Sequence, residues 1–295
     1  MNTWKADAAL VGNTLIWGAT FVLVKDALQH VSPMVYIALR FTLAAVVMFL
    51  AYGRALQRKS VLAGTIAGVF LFLGYFFQTT GLQYTTPSKS AFYTSLSIPL
   101  VPFLGSLVYQ KAPRWMEVAG IVVATLGMLM LTAEGSRLSW DKGSLLSIAC
   151  AVAFAAHIVT VGYFADRASF ETVAVTQITV VAVLASLSFR FVETPVLHWT
   201  GEAVTAILVT ALLGTALAFT IQAWAQQHTT ATRTALIFAL EPVWAWLTSW
   251  WLLGERLSGK ARLGGVLILG GVLLVELKRE KDVKHPSVRA VSPEV

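Results

Sequence analysis

Charge is what this sequence has least of. Asp, Glu, Lys and Arg make up only 13% of its 295 residues, whereas 57% are hydrophobic. Soluble domains carry about 25% charged residues, so this chain has about half of the charge that a water-exposed surface needs. A lipid bilayer supplies the apolar surroundings that such a composition requires. The composition excludes an ordinary soluble domain and predicts an integral membrane protein with the bilayer as its main partner.

Cysteine is also scarce. Cys150 is the only one, and it lies inside an apolar run, which excludes a disulfide framework and a cysteine-based metal site. We therefore expect no metal and no cofactor. The 22 basic residues outnumber the 15 acidic ones, but they cluster in short connecting segments and after Val275. This distribution is typical of the cytoplasmic flanks of membrane helices, so we expect no nucleic-acid partner.

Ten apolar runs are long enough to cross a bilayer, for which roughly 18–25 residues are required. Short segments with Pro, Gly or charge join them, and the segment from Glu134 to Lys142 divides them into two groups of five. We place the ten runs near residues 6–24, 33–52, 61–81, 89–110, 115–133, 143–163, 172–190, 203–226, 232–253 and 261–277.

The two groups of five are related in sequence. At an offset of 144 positions the segment Thr85–Ala91 recurs as Thr229–Ala235. The same offset carries Gln78 onto Gln222, Gly120 onto Gly264 and Gly127 onto Gly271. A duplicated unit with an odd number of spans enters the membrane in the opposite direction the second time. We therefore predict an all-α membrane protein with ten transmembrane helices arranged as two inverted five-helix repeats.

The predicted repeats cover residues 1–134 and 135–278, and residues 279–295 are a disordered cytoplasmic tail. Lys and Arg are more frequent on the side that holds both termini, chiefly because of this tail. The positive-inside rule then places both termini in the cytoplasm.

Several short motifs occur in a fixed order along the chain. They are Trp17-Gly18-Ala19-Thr20-Phe21 with Lys25 in the first run, Leu39-Arg40-Phe41 in the second, Glu241-Pro242-Val243 in the ninth, and Gly254-Glu255-Arg256-Leu257 after it. Together they resemble the drug/metabolite transporter (DMT) superfamily, specifically its EamA-type permeases, over about residues 6–277. The resemblance implies a ten-helix inverted-repeat fold, export of small metabolites or drugs, a site between the halves and a bacterial inner-membrane location. One departure is that the first half has Ser97-Ile98-Pro99 where the second has Glu241-Pro242.

One face of the first span carries candidate substrate-binding residues. An offset of 137 places Trp17 on Phe154 and Thr20 on His157, and each pair shares a helix face. An aromatic ring beside a polar group in both halves suits the wall of a central cavity. Alternatively, Trp17 and Phe154 pack the helix bundle, and Thr20 bonds to its own backbone.

Glutamines mark a second face, on the third and eighth spans. Tyr75 and Gln78 share it in the first half, as Phe219 and Gln222 do in the second. A buried amide without a partner costs on the order of several kcal/mol in hydrocarbon, so these glutamines are candidates for a hydrated substrate cavity. The alternative is hydrogen bonding between helices. Tyr93 is a further candidate.

Ionisable residues inside a span are candidates for function because burying charge in a membrane is costly. Arg40 either neutralises a substrate carboxylate or pairs with a neighbouring helix. Glu241 either binds and releases a proton during transport or bonds to the backbone at a bend. His157 either takes part in that coupling or only packs. Pro99 and Pro242 are candidate hinges because proline interrupts a helical hydrogen-bond ladder.

These features predict a secondary transporter rather than an enzyme. We expect export by alternating access of a small metabolite, either an amino acid (aromatic ones included) or a related zwitterion. Efflux of drugs or organic cations, with Glu241 as the counter-charge, remains the alternative. A membrane enzyme or receptor is disfavoured because the chain has no HExxH, GxSxG or phosphate-loop motif. A monomer suffices to enclose the site, and the glycine ladders leave a dimer open.

Overall fold

The computed structural model describes residues 3–84, 90, 93–132, 141–253 and 258–277, and these are almost entirely helical, without a β-strand. The tail 279–295, the motif Gly254–Leu257 and most of the segment Thr85–Ala91 lie outside the described residues. The helices are α1 Thr3–Ala27, α2 Pro33–Tyr52, α3 Val61–Gly81, α4 Ser97–Tyr109, α5 Trp115–Thr132, α6 Lys142–Phe164, α7 Phe170–Val192, α8 Gly201–Ala225, α9 Ala231–Phe238, α10 Glu241–Leu253 and α11 Gly259–Leu277.

Five of these helices, α2, α3, α6, α7 and α8, are long and apolar enough to cross a membrane. The helices around α4 and α5 are apolar but shorter. Many large apolar side chains on the outside of the bundle are exposed, among them Leu50, Phe191 and Val266. Such a surface is stable when it faces lipid instead of water, so the chain is a multi-pass helical membrane protein.

The ninth predicted span, 232–253, is two helices with a break between them. The N–H groups of Ala239 and Leu240 bond to carbonyls three residues back, at Leu236 and Ile237, which closes α9 with tight turns. Pro242 then occupies the first turn of α10, where its missing N–H leaves no helical bond unmade. Sequence length alone predicts one continuous helix here, and proline chemistry explains the difference.

The fourth predicted span is also interrupted. A turn at Leu96 separates the single helical turn Tyr93–Ser95 from α4. Pro99 lies in the first turn of α4, where proline is tolerated, and Pro102 lies inside the helix.

The fifth and tenth spans, α5 and α11, pack together through glycine. A Cβ atom on Gly120 would lie 2.8 Å from the Gly271 carbonyl oxygen, and one on Gly127 would lie 2.6 Å from that of Gly264. The residue numbers run in opposite directions, so the two helices are antiparallel. The offset of 144 exchanges the two contacts, because it carries Gly120 onto Gly264 and Gly127 onto Gly271. Because the two glycine contacts map onto each other, the interface between α5 and α11 has local two-fold symmetry.

Candidate functional site

A cavity of about 460 Å³ lies between the two halves of the chain. Its volume falls in the range of small-molecule sites, about 300–1,000 Å³. Its walls come from α1, α2, α3, α6 and α8, from the start of α4 and from the break between α9 and α10. Ten of the twelve site and hinge residues predicted from the sequence lie on these walls: Trp17, Thr20, Arg40, Tyr75, Gln78, His157, Phe219, Gln222, Glu241 and Pro242.

The other two lie elsewhere. Tyr93 is buried in the helical turn before α4, with 5% of its surface exposed, and it is not part of the cavity wall. Pro99 lies one residue beyond the wall residue Ile98. Substrate binding by Tyr93 and a hinge at Pro99 stay predictions that the cavity geometry does not support directly.

Aromatic rings form a continuous lining. The Trp17 ring lies 4.9 Å from that of Phe238 and 5.6 Å from that of Phe219, between ring centroids. Tyr75 continues the series, 6.4 Å from Phe219 and 5.5 Å from Phe154. The pairs are tilted or edge-to-face, the geometries that aromatic quadrupoles favour. The lining therefore offers both ring faces and ring edges to an apolar or aromatic group.

Arg40 brings a buried positive charge to the wall. Its Nε donates to Thr215 Oγ1 at 2.7 Å, and its Nη2 donates to the Gly214 carbonyl at 3.1 Å. The centre of the guanidinium lies 5.3 Å from the centroid of the Tyr75 ring, a cation–π distance. Both acceptors are neutral, so no described carboxylate compensates the charge of Arg40. The geometry suits a guanidinium that receives an anionic group from the cavity.

Glu241 supplies the opposite charge. It is the first residue of α10, directly after the break, and it lines the same cavity. The start of a helix favours a carboxylate because the helix dipole is positive there. Among the described residues no side chain forms a hydrogen bond or ion pair with it. Its carboxylate is thus available to a cation or a proton that enters the cavity.

His157 is paired with Gln177, a residue that sequence patterns rank low. His157 Nε2 lies 2.8 Å from Gln177 Oε1, so this nitrogen carries the hydrogen, and both side chains are buried. The offset of 137 that maps Thr20 onto His157 also maps Arg40 onto Gln177. This offset, applied to the second span as well as to the first, identifies Gln177 from the sequence.

The two symmetric glutamines differ in their surroundings. Gln222 is buried; its Nε2 donates to Gln226 Oε1 at 3.1 Å, and Gln226 in turn donates to the Ile158 carbonyl at 2.9 Å. Gln78 is partly exposed and faces the cavity without a bond to a described residue. Gln222 thus lines the cavity and also takes part in hydrogen bonding between helices, whereas Gln78 only lines the cavity.

One end of the cavity reaches the protein surface. Its wall includes Leu82 after α3 and Leu28 and Gln29 in the turn after α1, and Gln29 is exposed. At the opposite end the helices are tied together: the Gln226 bond joins α8 to α6, and the Tyr109 hydroxyl donates to the Val159 carbonyl at 2.9 Å, which joins α4 to α6.

A buried ion pair strengthens the closed end. Arg233 Nη2 lies 3.0 Å from Asp7 Oδ2, and the two side chains are 7% and 9% exposed. The pair links the start of α1 to the start of α9. Charge patterns alone count Arg233 as a flanking charge of the ninth predicted run and give Asp7 no role, although each is the second residue of its run.

In the described part of the chain, no group of three or more His, Cys, Asp and Glu side chains could hold a metal ion.

Comparisons with known proteins agree with this geometry. The model of the EamA-like transporter family matches residues 4–133 and again residues 141–277. An uncharacterized transporter of Archaeoglobus fulgidus is 32% identical over 273 residues, which are 92% of this chain and 86% of that protein. A probable amino-acid metabolite efflux pump of Salmonella typhimurium is 26% identical over 281 residues, 88% of this chain and 91% of that protein. A solved crystal structure superposes with a TM-score of 0.80 at 22% identity, covering 92% of this chain and 98% of the other; it supports the fold alone.

Proposed function

Since the chain belongs to the EamA-like transporter family and is therefore a membrane transporter, not an enzyme, we propose that it exports a small zwitterion. The substrate class is an amino acid or a close relative with an apolar or aromatic side chain. Transport proceeds across the bacterial inner membrane by alternating access.

One observation carries the proposal: two opposite charges line one aromatic cavity. Arg40 suits a carboxylate, and Glu241 suits an ammonium group. Tyr75, a member of the aromatic lining, lies 5.3 Å from the Arg40 guanidinium and lines the same cavity as Glu241. A substrate with both charges and an apolar side chain satisfies the arginine, the glutamate and the rings together. A substrate with one charge leaves the other protein charge without a partner, which is costly in a poorly hydrated site.

A relative supports the same substrate class. The Salmonella protein that aligns over most of this chain is named a probable amino-acid metabolite efflux pump.

The transport cycle follows from the two ends of the cavity. We propose ten spans in two inverted repeats, residues 1–134 and 135–278, with α9 and α10 as one broken span. The two-fold glycine contact between α5 and α11 supports this arrangement. With both termini cytoplasmic, the closed end at Asp7 and Arg233 faces the cytoplasm, and the open end faces outward. This conformation releases substrate and exposes Glu241 to an external proton. Pro242 provides the bend about which the ninth span moves, and one chain suffices for the cycle.

Efflux of an organic cation is the second candidate, and one observation favours it. The Glu241 carboxylate has no partner among the described residues, and aromatic rings near it attract cations. Arg40 argues against a substrate with positive charge only, since like charges in a site of low dielectric repel.

Ligand-induced thermal stabilisation of the purified protein tests both candidates. A panel of amino acids, organic cations and sugars is screened at two pH values. A ligand that binds only the folded state raises the melting temperature by an amount that grows with the ratio of its concentration to its Kd. Selective stabilisation by amino acids is expected. Stabilisation by organic cations alone would replace the first candidate by the second, and stabilisation by sugars alone would contradict both.

A further inference from the structure

The eighth span is not a uniform α-helix. It is α-helical over Gly201–Ala211 and Ala218–Ala225, but the six residues Leu212–Leu217 form a π-helical segment. π-turns are rare, and they are frequently found at functional sites. The segment ends two residues before Phe219, which lines the cavity. The corresponding residues of the first repeat, 68–73, lie within regular helix α3.

The π-segment changes the partner of one carbonyl group. In an α-helix the Ala218 N–H would bond to Gly214, four residues back. Here it bonds to the Leu213 carbonyl, five residues back, and makes a second contact with Thr215. The Gly214 carbonyl instead accepts hydrogen bonds from two other helices. Trp17 Nε1 donates to it at 2.9 Å from α1, and Arg40 Nη2 donates to it at 3.1 Å from α2.

The next residue completes the arrangement. Thr215 Oγ1 accepts the bond from Arg40 Nε at 2.7 Å. Two consecutive residues of the π-segment thus hold the guanidinium at two of its nitrogens. Because both acceptors are neutral, they fix its position without neutralising its charge. A guanidinium has five N–H donors, so these two bonds and the neighbouring Tyr75 leave donors for a group in the cavity.

Space at Gly214 is matched to this geometry. A Cβ atom on Gly214 would lie 3.3 Å from Arg40 Nη2 and 3.8 Å from Thr20 Oγ1. The first distance is short for a carbon beside a guanidinium nitrogen, so even alanine would displace the Arg40 side chain slightly. Glycine has no Cβ atom and therefore leaves the Arg40 guanidinium in its place.

We propose that the π-segment Leu212–Leu217 is the device that gives this transporter its preference for substrates with a carboxylate. Thr215 and Gly214 are positioning residues: they act through Arg40 and do not touch the substrate. This inference rests on the proposed function, in which Arg40 receives the carboxylate. It adds the reason why Arg40, although it bonds to the neighbouring helix α8, keeps an uncompensated charge at the cavity.

The test compares Thr215→Val with Thr215→Ser. Valine has the shape of threonine without the acceptor oxygen, and serine keeps that oxygen. The matched control is Thr179→Val on α7, since the Thr179 hydroxyl bonds only to its own helix, at the Val175 carbonyl. The probes are L-phenylalanine and its decarboxylated analogue phenethylamine, measured by counterflow into proteoliposomes. Where Thr215→Val does not fold, Gly214→Ala replaces it, because it displaces the same guanidinium by contact.

We expect Thr215→Val to raise the KM for L-phenylalanine about tenfold, the effect of one hydrogen bond to a charged group. The KM for phenethylamine and the maximal rate should stay within about twofold, since no bond to the amine is lost. Serine and the control should behave as the wild type. An equal change for both probes would show a merely structural role and overturn the inference.

A second readout does not depend on the substrate. Phenylglyoxal modifies accessible guanidinium groups, and peptide mass spectrometry follows its reaction at Arg40. We expect Arg40 to react several-fold faster in Thr215→Val than in the wild type, Thr215→Ser or the control. Faster reaction without transport of any amino acid would retain the positioning role and remove the proposed substrate class. Selective amino-acid transport with unchanged Arg40 reactivity would retain the proposed substrate class and remove the positioning role of Thr215.

Discussion

The two repeats agree in packing and differ in chemistry. The α5–α11 contact is nearly the same from either side, with Gly120 against Gly271 and Gly127 against Gly264. The cavity walls are unlike each other. At matched positions the first repeat has Thr20 and Arg40 on the wall, whereas the second has His157 on the wall and Gln177 bonded to His157 outside the lining. A duplicated unit thus keeps its symmetry at the glycine contact and gives it up along the cavity, where we propose that an asymmetric substrate binds.

The two symmetry-related helix contacts beside the cavity, α3 with α7 and α8 with α2, also differ. α3 approaches α7 through glycine, since a Cβ on Gly68 would lie 2.9 Å from the Gln177 Cα. α8 has no such close contact with α2; the Arg40 side chain bonds to its π-segment instead. Of these two helix contacts, only the one between α8 and α2 holds a charged side chain, Arg40, and the groups that hold it are neutral. The predictions below either remove this difference or disturb the symmetric part.

The largest effect is expected for Arg40→Gln, which gives the first repeat the residue at the matched position of the second, Gln177. Affinity for an amino-acid substrate should fall about 100-fold, since hydrogen-bonded pairing with a carboxylate contributes about 2–3 kcal/mol. Competition binding to the purified protein measures it. The control is Arg190→Gln, because Arg190 is exposed in the last turn of α7. Wild-type affinity in Arg40→Gln would remove Arg40 from the site.

Gly127→Ala disturbs the symmetric part. Its new Cβ would lie 2.6 Å from the Gly264 carbonyl oxygen, so the two helices must separate. Overpacking of this kind costs about 2 kcal/mol, and the melting temperature in detergent should fall accordingly. Gly270→Ala on the open face of α11 meets no atom within 4 Å and should leave the melting temperature unchanged. Equal behaviour of the two variants would contradict the close approach of α5 and α11.

Glu241→Gln removes a charge that the first repeat lacks, since the matching position is Ser97. Affinity for a substrate with an ammonium group should fall about tenfold, or about 1.4 kcal/mol. If Glu241 also carries the coupled proton, transport driven by a pH gradient should stop, while counterflow without a gradient continues. Glu202→Gln is the control, because the side chain of Glu202 is 73% exposed. Gradient-driven transport at the wild-type rate in Glu241→Gln would rule out proton coupling at this residue.

His157→Thr gives the second wall the residue of the first, and the expected effect is the smallest. It removes one neutral hydrogen bond to Gln177, worth about 1 kcal/mol to the arrangement of the wall and not to a substrate contact, so we expect affinity to fall by no more than about fivefold. Isothermal titration with the best amino-acid ligand measures it. His198→Thr in the exposed α7–α8 connection should have no effect. A loss as large as that of Arg40→Gln would instead place His157 in direct contact with substrate.

Sequence alone predicts most of the helix positions, because a membrane span must be a long apolar run. It also indicates the break before Glu241, since proline cannot continue a helical ladder. The internal repeat identifies both cavity glutamines, Gln78 and Gln222. What it does not reveal is that the Gln222 amide nitrogen donates to Gln226, because Gln226 is itself held in place by its bond to the Ile158 carbonyl of α6.

Two further features depend on contacts that no local pattern encodes. The π-segment is a local change of hydrogen bonding, and its residues Gly214 and Thr215 are ordinary for a membrane helix. The pair between Asp7 and Arg233 joins residues 226 positions apart, and each taken alone resembles the charged flank of a span. In both cases the meaning of a residue depends on the helix that packs against it.

The most direct test of the account is counterflow by the wild-type protein with matched substrate series. L-leucine, L-phenylalanine and L-tryptophan are each compared with the corresponding amine, which lacks the carboxylate, and the corresponding acid, which lacks the amino group. The account predicts that at least one amino acid is transported with an affinity about tenfold or more above that of both analogues, since each loses one charged contact. An amine transported as well as its amino acid, or no amino acid transported at all, would contradict it.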